Sequence, residues 1–134
     1  MIKLKQILNE DRHQEIMSVI NSAKVGDTLP EDIIYQYVQQ IHRNYDDFIE
    51  GDISDRIENY SSYTLKNIPI TNINIDEFDV QDDLVDDYIN LYVDTKKMIP
   101  IVIGNDNEII DGIHRANAAH KLNFKNILAF VGND

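Results

Sequence analysis

The sequence has no cysteine and no tryptophan, only 5 glycines and 3 prolines, and half as many basic as acidic side chains. Without cysteine there is no disulfide, no thiolate metal ligand and no thiol nucleophile. Apolar runs stop after a few residues, far short of the about 20 that span a bilayer as a helix. The opening MIKLKQILNEDR lacks the apolar stretch of a secretory leader. A cytoplasmic location is therefore expected, the host cytoplasm if the source is viral, with no membrane partner. Positive charge is scarce, 12 Lys and Arg against 24 Asp and Glu for a net charge of -12. That disfavours nucleic acid as a partner for this chain alone, because such affinity rests on cations releasing counterions from a phosphate backbone. The abundance of Asn, Ile, Asp and Tyr suits an AT-rich genome, that of a phage or a low-GC bacterium.

At 134 residues the chain is long enough to bury a real core. Leu4, Ile7 and Leu8, then Ile16, Val19 and Ile20, have helical spacing that breaks at Val25-Gly26-Asp27. Thr28-Leu29-Pro30-Glu31 reads as a helix start, with Thr28 as cap and Pro30 near the first turn. Ile33, Ile34, Tyr37, Val38, Ile41, Tyr45, Phe48 and Ile49 then form a broad apolar stripe on one long helix ending near Gly51. Ser54 to Tyr60 adds a further turn, capped by Asp52 or Ser54. From about Tyr63 the period changes. Tyr63 to Ile75 alternates through Ile68, Ile70, Ile73 and Ile75 as a strand does, with Pro69 pushing it towards an edge or a bend. Between Asp76 and Asp94 lie eight acids and no base, yet Leu84, Val85, Tyr88, Ile89, Leu91 and Tyr92 keep a helical period. The preferred reading there is a solvated acidic helix face; the sharper one is that Asp76, Glu77, Asp82 or Asp83 turns a carboxylate towards a functional site.

The richest stretch is IPIVIGNDNEIIDGIHRANAAHKLNFKNILAFV, Ile99 to Val131, which reads as β-β-α-β. Its centre is Asp111-Gly112-Ile113-His114-Arg115, at the exit of the second strand. Asp111 is expected as the helix N-cap, and Gly112 lets the chain turn and a ligand approach the backbone. His114 and Arg115 fall in the first helical turn. Unpaired N–H groups and a partial positive charge gather there, so Arg115 beside them completes an anion site suited to phosphate. Each residue also has a plainer role: Asp111 as cap alone, Gly112 for the turn alone, His114 as a packing residue, and Arg115 paired with the acidic helix. His120, near the helix end, is read as structural. His13 and His42 have no partner at ligand spacing, so no zinc site is expected.

The strand, the acidic helix, IPIVI, the hairpin, IIDGIHRANAAHKLNF and ILAFV resemble, in that order, the ParB/sulfiredoxin superfamily, over roughly Leu65 to Val131, half the chain. Ala116, Ala118 and Ala119 are the small residues that let a helix lie close to a sheet. The resemblance implies an α+β fold, a small mixed sheet with packed helices over residues 63–134, preceded by a helical segment over residues 1–62. In sulfiredoxins the matching turn carries a reactive cysteine where this chain has Ile113, so sulfinic acid reduction is excluded, while the phosphate-holding His and Arg correspond to His114 and Arg115. ParB partition proteins bind cytidine triphosphate on a related turn and carry a helix-turn-helix domain after it; here the sequence reaches Asp134 directly after the last strand. The turn is most similar to the Asp-Gly-His-His-Arg of free-serine kinases, matched at Asp111, Gly112, His114 and Arg115 and departing at Ile113.

The function so implied is binding of a nucleoside di- or triphosphate, through Gly112, Ile113, His114 and Arg115. Phosphoryl transfer to a small hydroxyl substrate is attached to it, with Asp111 and His114 as catalytic groups and Mg²⁺ as cofactor. No Gly-x-x-x-x-Gly-Lys-Ser/Thr loop occurs, so a P-loop enzyme is not expected. The competing class is a non-catalytic nucleotide- or protein-binding module, with a protein partner or a homodimer seamed through the amino-terminal helices. On the catalytic reading, Arg115→Ala weakens ligand binding more than the fold, and Asp111→Asn changes stability little.

Overall fold

The computed structural model describes residues 14–44, 51–75 and 80–134. In chain order they form helix α1 (residues 14–22), β1 (Thr28–Pro30), α2 (Glu31–Asn44), α3 (Gly51–Glu58), β2 (Ser62–Pro69), a 3-10 turn (Ile70–Asn72), α4 (Asp82–Thr95), β3 (Ile101–Ile103), β4 (Ile109–Asp111), α5 (Ile113–Lys121) and β5 (Asn126–Asn133). The strands make one mixed sheet in the order β1-β2-β5-β3-β4, in which β3 runs parallel to β5 and the other pairs are antiparallel. This is the α+β class expected from the sequence.

Alternation along the strands divides the core in two. Tyr63, Leu65, Val102, Ile110 and Phe130 face one side, where Ile16 and Ile20 of α1, Ile34, Tyr37, Val38 and Ile41 of α2 and Ile57 of α3 cover them. Ile101, Ile103, Ile109, Ile127, Ala129 and Val131 face the other, against Ala116 and Ala119 of α5, Ile70 of the 3-10 turn and Ile73 just after it. The small residues of α5 do what their size allows: Ala116 and Ala119 bring the helix down on the sheet, and Ala118 receives Val85 and Tyr88 of α4. The layers are therefore helices, sheet, α5, with α4 against α5. The stripe on α2 is spent inside this chain as far as Ile41. Tyr45, Phe48 and Ile49 lie outside the described residues, as do Leu4, Ile7, Leu8, His13, Asp76, Glu77 and the side chain of His42.

Four local expectations need correction. Thr28 and Pro30 do not open the long helix. Thr28 to Pro30 form strand β1, in register with Thr64, Tyr63 and Ser62, because Gly26 N–H donates to Leu65 O at 2.8 Å and Leu65 N–H to Asp27 O at 2.9 Å, which ties this segment to β2. Pro30, which has no N–H to give, ends the strand, and α2 starts at Glu31 with Glu31 and Asp32 at its positive end. Gly51 opens α3 instead of closing α2, which ends at Asn44, and the single turn expected at Ser54 to Tyr60 starts inside α3 and outlasts it by two residues, since α3 ends at Glu58. The strand expected to reach Ile75 stops at Pro69, and the chain bends into the 3-10 turn, whose Ile70 stays buried. Pro69 lies past the end of β1, on the part of β2 bonded only to β5, where a missing N–H interrupts no ladder.

The described parts of residues 1–62 and 63–134 share the α1–α3 side of the core, and β1 belongs to the same sheet as β2. Among the described residues no helix is long and apolar enough to cross a membrane.

Candidate functional site

The start of α5 is built by a conflict that only glycine resolves. β4 ends at Asp111, and the chain must turn at once to lay α5 on the sheet it has just left. Gly112 makes that turn with φ +111° and ψ 25°, a backbone region that side chains oppose. A Cβ placed on it would lie 2.5 Å from Cγ2 of Ile101 and 3.0 Å from Nη2 of Arg115. On that side the turn is already filled by protein. Gly112, not Asp111, is the N-cap of α5. Asp111 stays in the strand because its carboxylate has another use.

That use is Arg115. Its side chain is 1% exposed, the most deeply buried charge among the described residues, and Asp111 is 8% exposed. Nη2 donates to Asp111 Oδ2 at 2.5 Å, and Nη1 donates to Pro100 O at 2.6 Å and to Tyr37 Oη at 3.2 Å. Tyr37 Oη in turn donates to the same Pro100 carbonyl at 2.6 Å. The guanidinium carbon lies 5.9 Å from the centre of the Tyr88 ring, within reach of its negative face. Burial works against the charge of Arg115, but the Asp111 carboxylate and the Tyr37 and Tyr88 hydroxyls together outweigh it, and the guanidinium is held above its ordinary pKa. Burial likewise pushes the Tyr37 phenol above the tyrosine range, with Arg115 pulling the other way, so the hydroxyl stays a donor. Five parts of the fold meet here: α2 through Tyr37, α4 through Tyr88, the approach to β3 through Pro100, β4 through Asp111 and α5 through Arg115.

The remaining residues of the turn are placed as follows. Ile113 is half-buried and packs with the α5 side of the core, so its side chain is a hydrophobic anchor. His114 Nε2 accepts the backbone N–H of Gln81 at 3.2 Å. Gln81 is the cap residue of α4, so the ring nitrogen facing it carries no proton. Asn117 Nδ2 donates to Ile113 O at 2.9 Å. His120 is exposed in the last turn of α5, where the helix dipole favours a cation. Asp82 and Asp83 lie exposed in the first turn of α4, directly after the residue that His114 caps. Among the described residues no three His, Asp or Glu side chains come together as a metal site. Asp111 is poorly suited to hold Mg²⁺, because a guanidinium already occupies its Oδ2.

Of the residues singled out in the turn, Asp111 and Arg115 are joined directly and His114 turns to Gln81, while Tyr37, Tyr88 and the Pro100 carbonyl, not expected at the site, complete the surroundings of the guanidinium. In the sequence Tyr37 and Tyr88 show only as members of helical stripes, and a backbone carbonyl carries no sequence signal. The pairing also changes the expectation for Asp111→Asn. An amide keeps an acceptor but removes the charge opposite a buried guanidinium, and a hydrogen bond to a charged partner is worth about 1.5–3 kcal/mol. Urea melts of Asp111→Asn should show a loss of about 2 kcal/mol; a change within about 0.5 kcal/mol would mean that the pair is not formed in solution.

No family model matches the sequence, and no curated protein does. Among solved structures the chain is similar to that of a Pnob8-like ParB-N domain, at 17% sequence identity and a TM-score of 0.45. The match covers 54% of this chain and 30% of that one, so it spans less than a third of that structure's length.

Proposed function

We propose that the chain is a non-catalytic binding module that takes a phosphate-bearing ligand, a nucleoside di- or triphosphate, at the start of α5. One observation carries the reading. Arg115 Nε is buried and has no hydrogen-bond partner among the described residues, although both terminal nitrogens of the guanidinium are bonded. A buried donor left without an acceptor costs about 1–3 kcal/mol, and this one belongs to the first turn of a helix whose N-terminus carries partial positive charge. A ligand oxygen lodged at the turn would supply the acceptor, with a small shift of the turn to admit it. Gly112, Ile113 and His114 are each only half-buried, which leaves backbone on that side for a ligand to approach. The Asp-Gly-x-His-Arg pattern points the same way.

The non-catalytic half of the proposal follows from how Asp111 and His114 are used. Phosphoryl transfer asks for a group that holds Mg²⁺ or orients the acceptor hydroxyl. Asp111 is bound to Arg115 and His114 caps α4, so catalysis by either would first have to break an internal bond of the fold. A thermal-shift screen against nucleoside di- and triphosphates, with and without Mg²⁺, tests the binding half. A ligand at about a hundred times its Kd adds about 2.7 kcal/mol to apparent stability, a rise of several degrees in Tm. Phosphorus NMR of the best ligand over hours tests the other half. Binding with an unchanged ligand spectrum is expected. No shift with any nucleotide overturns the site, and turnover of the bound nucleotide overturns its non-catalytic character.

A further inference from the structure

We propose that Tyr37 of α2 is a positioning residue for the turn at the start of α5, so that the helical layer on one face of the sheet sets the order of the turn on the other. Its consequence for ligand affinity rests on the reading above, but its consequence for the turn itself does not. Tyr37 is fully buried on the α1–α3 side, with its ring edge-on to Phe130 at 5.9 Å between centroids. Its hydroxyl nevertheless reaches the network that holds Arg115, which belongs to the helix on the opposite face. Arg115 Nη1 and Tyr37 Oη both donate to Pro100 O, and Nη1 also donates to Tyr37 Oη. These three contacts form a closed triangle, so the guanidinium cannot swing without stretching at least one of them. The other arm of the guanidinium is on Asp111, the residue before Gly112. The hydroxyl of Tyr37 is therefore two hydrogen bonds removed from Asp111, the residue next to the cap of α5, and a displacement of α2 is transmitted to the turn through Arg115. Sequence distance hides this link, since Tyr37 and Arg115 are 78 residues apart.

Tyr37→Phe tests the proposal cleanly. The ring and its packing on Phe130 stay, and Pro100 O keeps the Arg115 donor, so the change is confined to the bonds that the Tyr37 hydroxyl makes, chief among them the one from Arg115 Nη1. The reporter is backbone amide exchange in the free protein. Ala116 N–H, bonded to Gly112 O at 2.9 Å, is the first helical amide after the turn, and Phe130 in the interior of the sheet is the reference. The expected result is an exchange rate that rises about tenfold more at Ala116 than at Phe130, the size of one lost hydrogen bond. A merely structural role for the hydroxyl would lower global stability and raise both rates by the same factor, which overturns the proposal, as does an unchanged rate at Ala116. Arg115→Lys is the second variant, since it keeps the charge but cannot reach Asp111, Pro100 and Tyr37 at once; it should raise exchange at Ala116 by at least as much. None of these readouts needs a ligand. Should no nucleotide bind, the binding proposal falls and this one is still decided by exchange.

Discussion

Arg115→Ala should cost about 3–5 kcal/mol of folding free energy, the loss typical of removing one partner from a buried ion pair. The magnitude follows from what is left behind. Asp111 is 8% exposed, and without the guanidinium its carboxylate is held away from water with its strongest donor gone. The Pro100 carbonyl keeps only the Tyr37 hydroxyl, and the space of a fully buried arginine side chain is left empty against Tyr88. An exposed arginine pairing with an acidic helix would contribute about 1 kcal/mol or less. The two placements therefore differ by severalfold in a urea melt, and the expectation that truncation would spare the fold gives way. A lowered midpoint with an unchanged slope is the expected form, since the slope reports the surface exposed on unfolding. A companion variant separates charge from volume. Arg115→Met combined with Asp111→Leu removes both charges and fills much of the space, and replacing a buried pair in this way is often neutral. It should be more stable than Arg115→Ala. If Arg115→Ala loses less than about 1 kcal/mol, the side chain is solvated in solution and the buried network does not form.

The same residue marks where sequence stops being informative. The β3-β4-α5-β5 unit was readable because each of its elements carries its own period: the run Ile101 to Ile103, the hairpin around Gly104, the small residues Ala116, Ala118 and Ala119, and the run Ile127 to Val131. Local patterns of this kind are fixed by neighbours within a few residues. Strand β1 has no such pattern. It is three residues long, and it exists because Gly26 and Asp27 bond to Leu65, far along the chain. Gly51 likewise looked like a stop but begins α3. At the site, sequence placed Asp111, Gly112, His114 and Arg115 together because they are adjacent, yet whether Arg115 faces solvent or the interior depends on Tyr37, Pro100 and Tyr88, which are brought to it by the sheet. An arginine in a first helical turn is compatible with both directions. Burial was decided by tertiary contacts that a four-residue pattern does not contain.

Gly112→Ala should be the second severe substitution, at about 2–5 kcal/mol, and its two causes can be measured apart. The first is conformational: a Cβ in the left-handed region costs about 1–2 kcal/mol, and φ +111° lies well beyond where other residues are at ease. The second is steric. The new methyl would meet Cγ2 and Cβ of Ile101 at 2.5 and 2.8 Å. Ile101 is fully buried on β3, between β5 and β4 in the sheet, so it has little room to retreat, and overpacking of this kind typically costs about 1–3 kcal/mol. Gly26 supplies the control. It has a similar φ of +101° but nothing within 4 Å of the position a Cβ would take, so Gly26→Ala carries the conformational cost alone. The difference between the two variants in urea melts is then the steric cost of closing on Ile101. Because the Cβ would also lie 3.0 Å from Arg115 Nη2, the atom bonded to Asp111, relief of the clash should move the guanidinium as well, and amide exchange at Ala116 should rise more in Gly112→Ala than global destabilisation explains. Equal losses at Gly26 and Gly112 would mean that Ile101 yields to the new methyl, and the turn at the start of α5 would then owe its glycine to backbone angle alone.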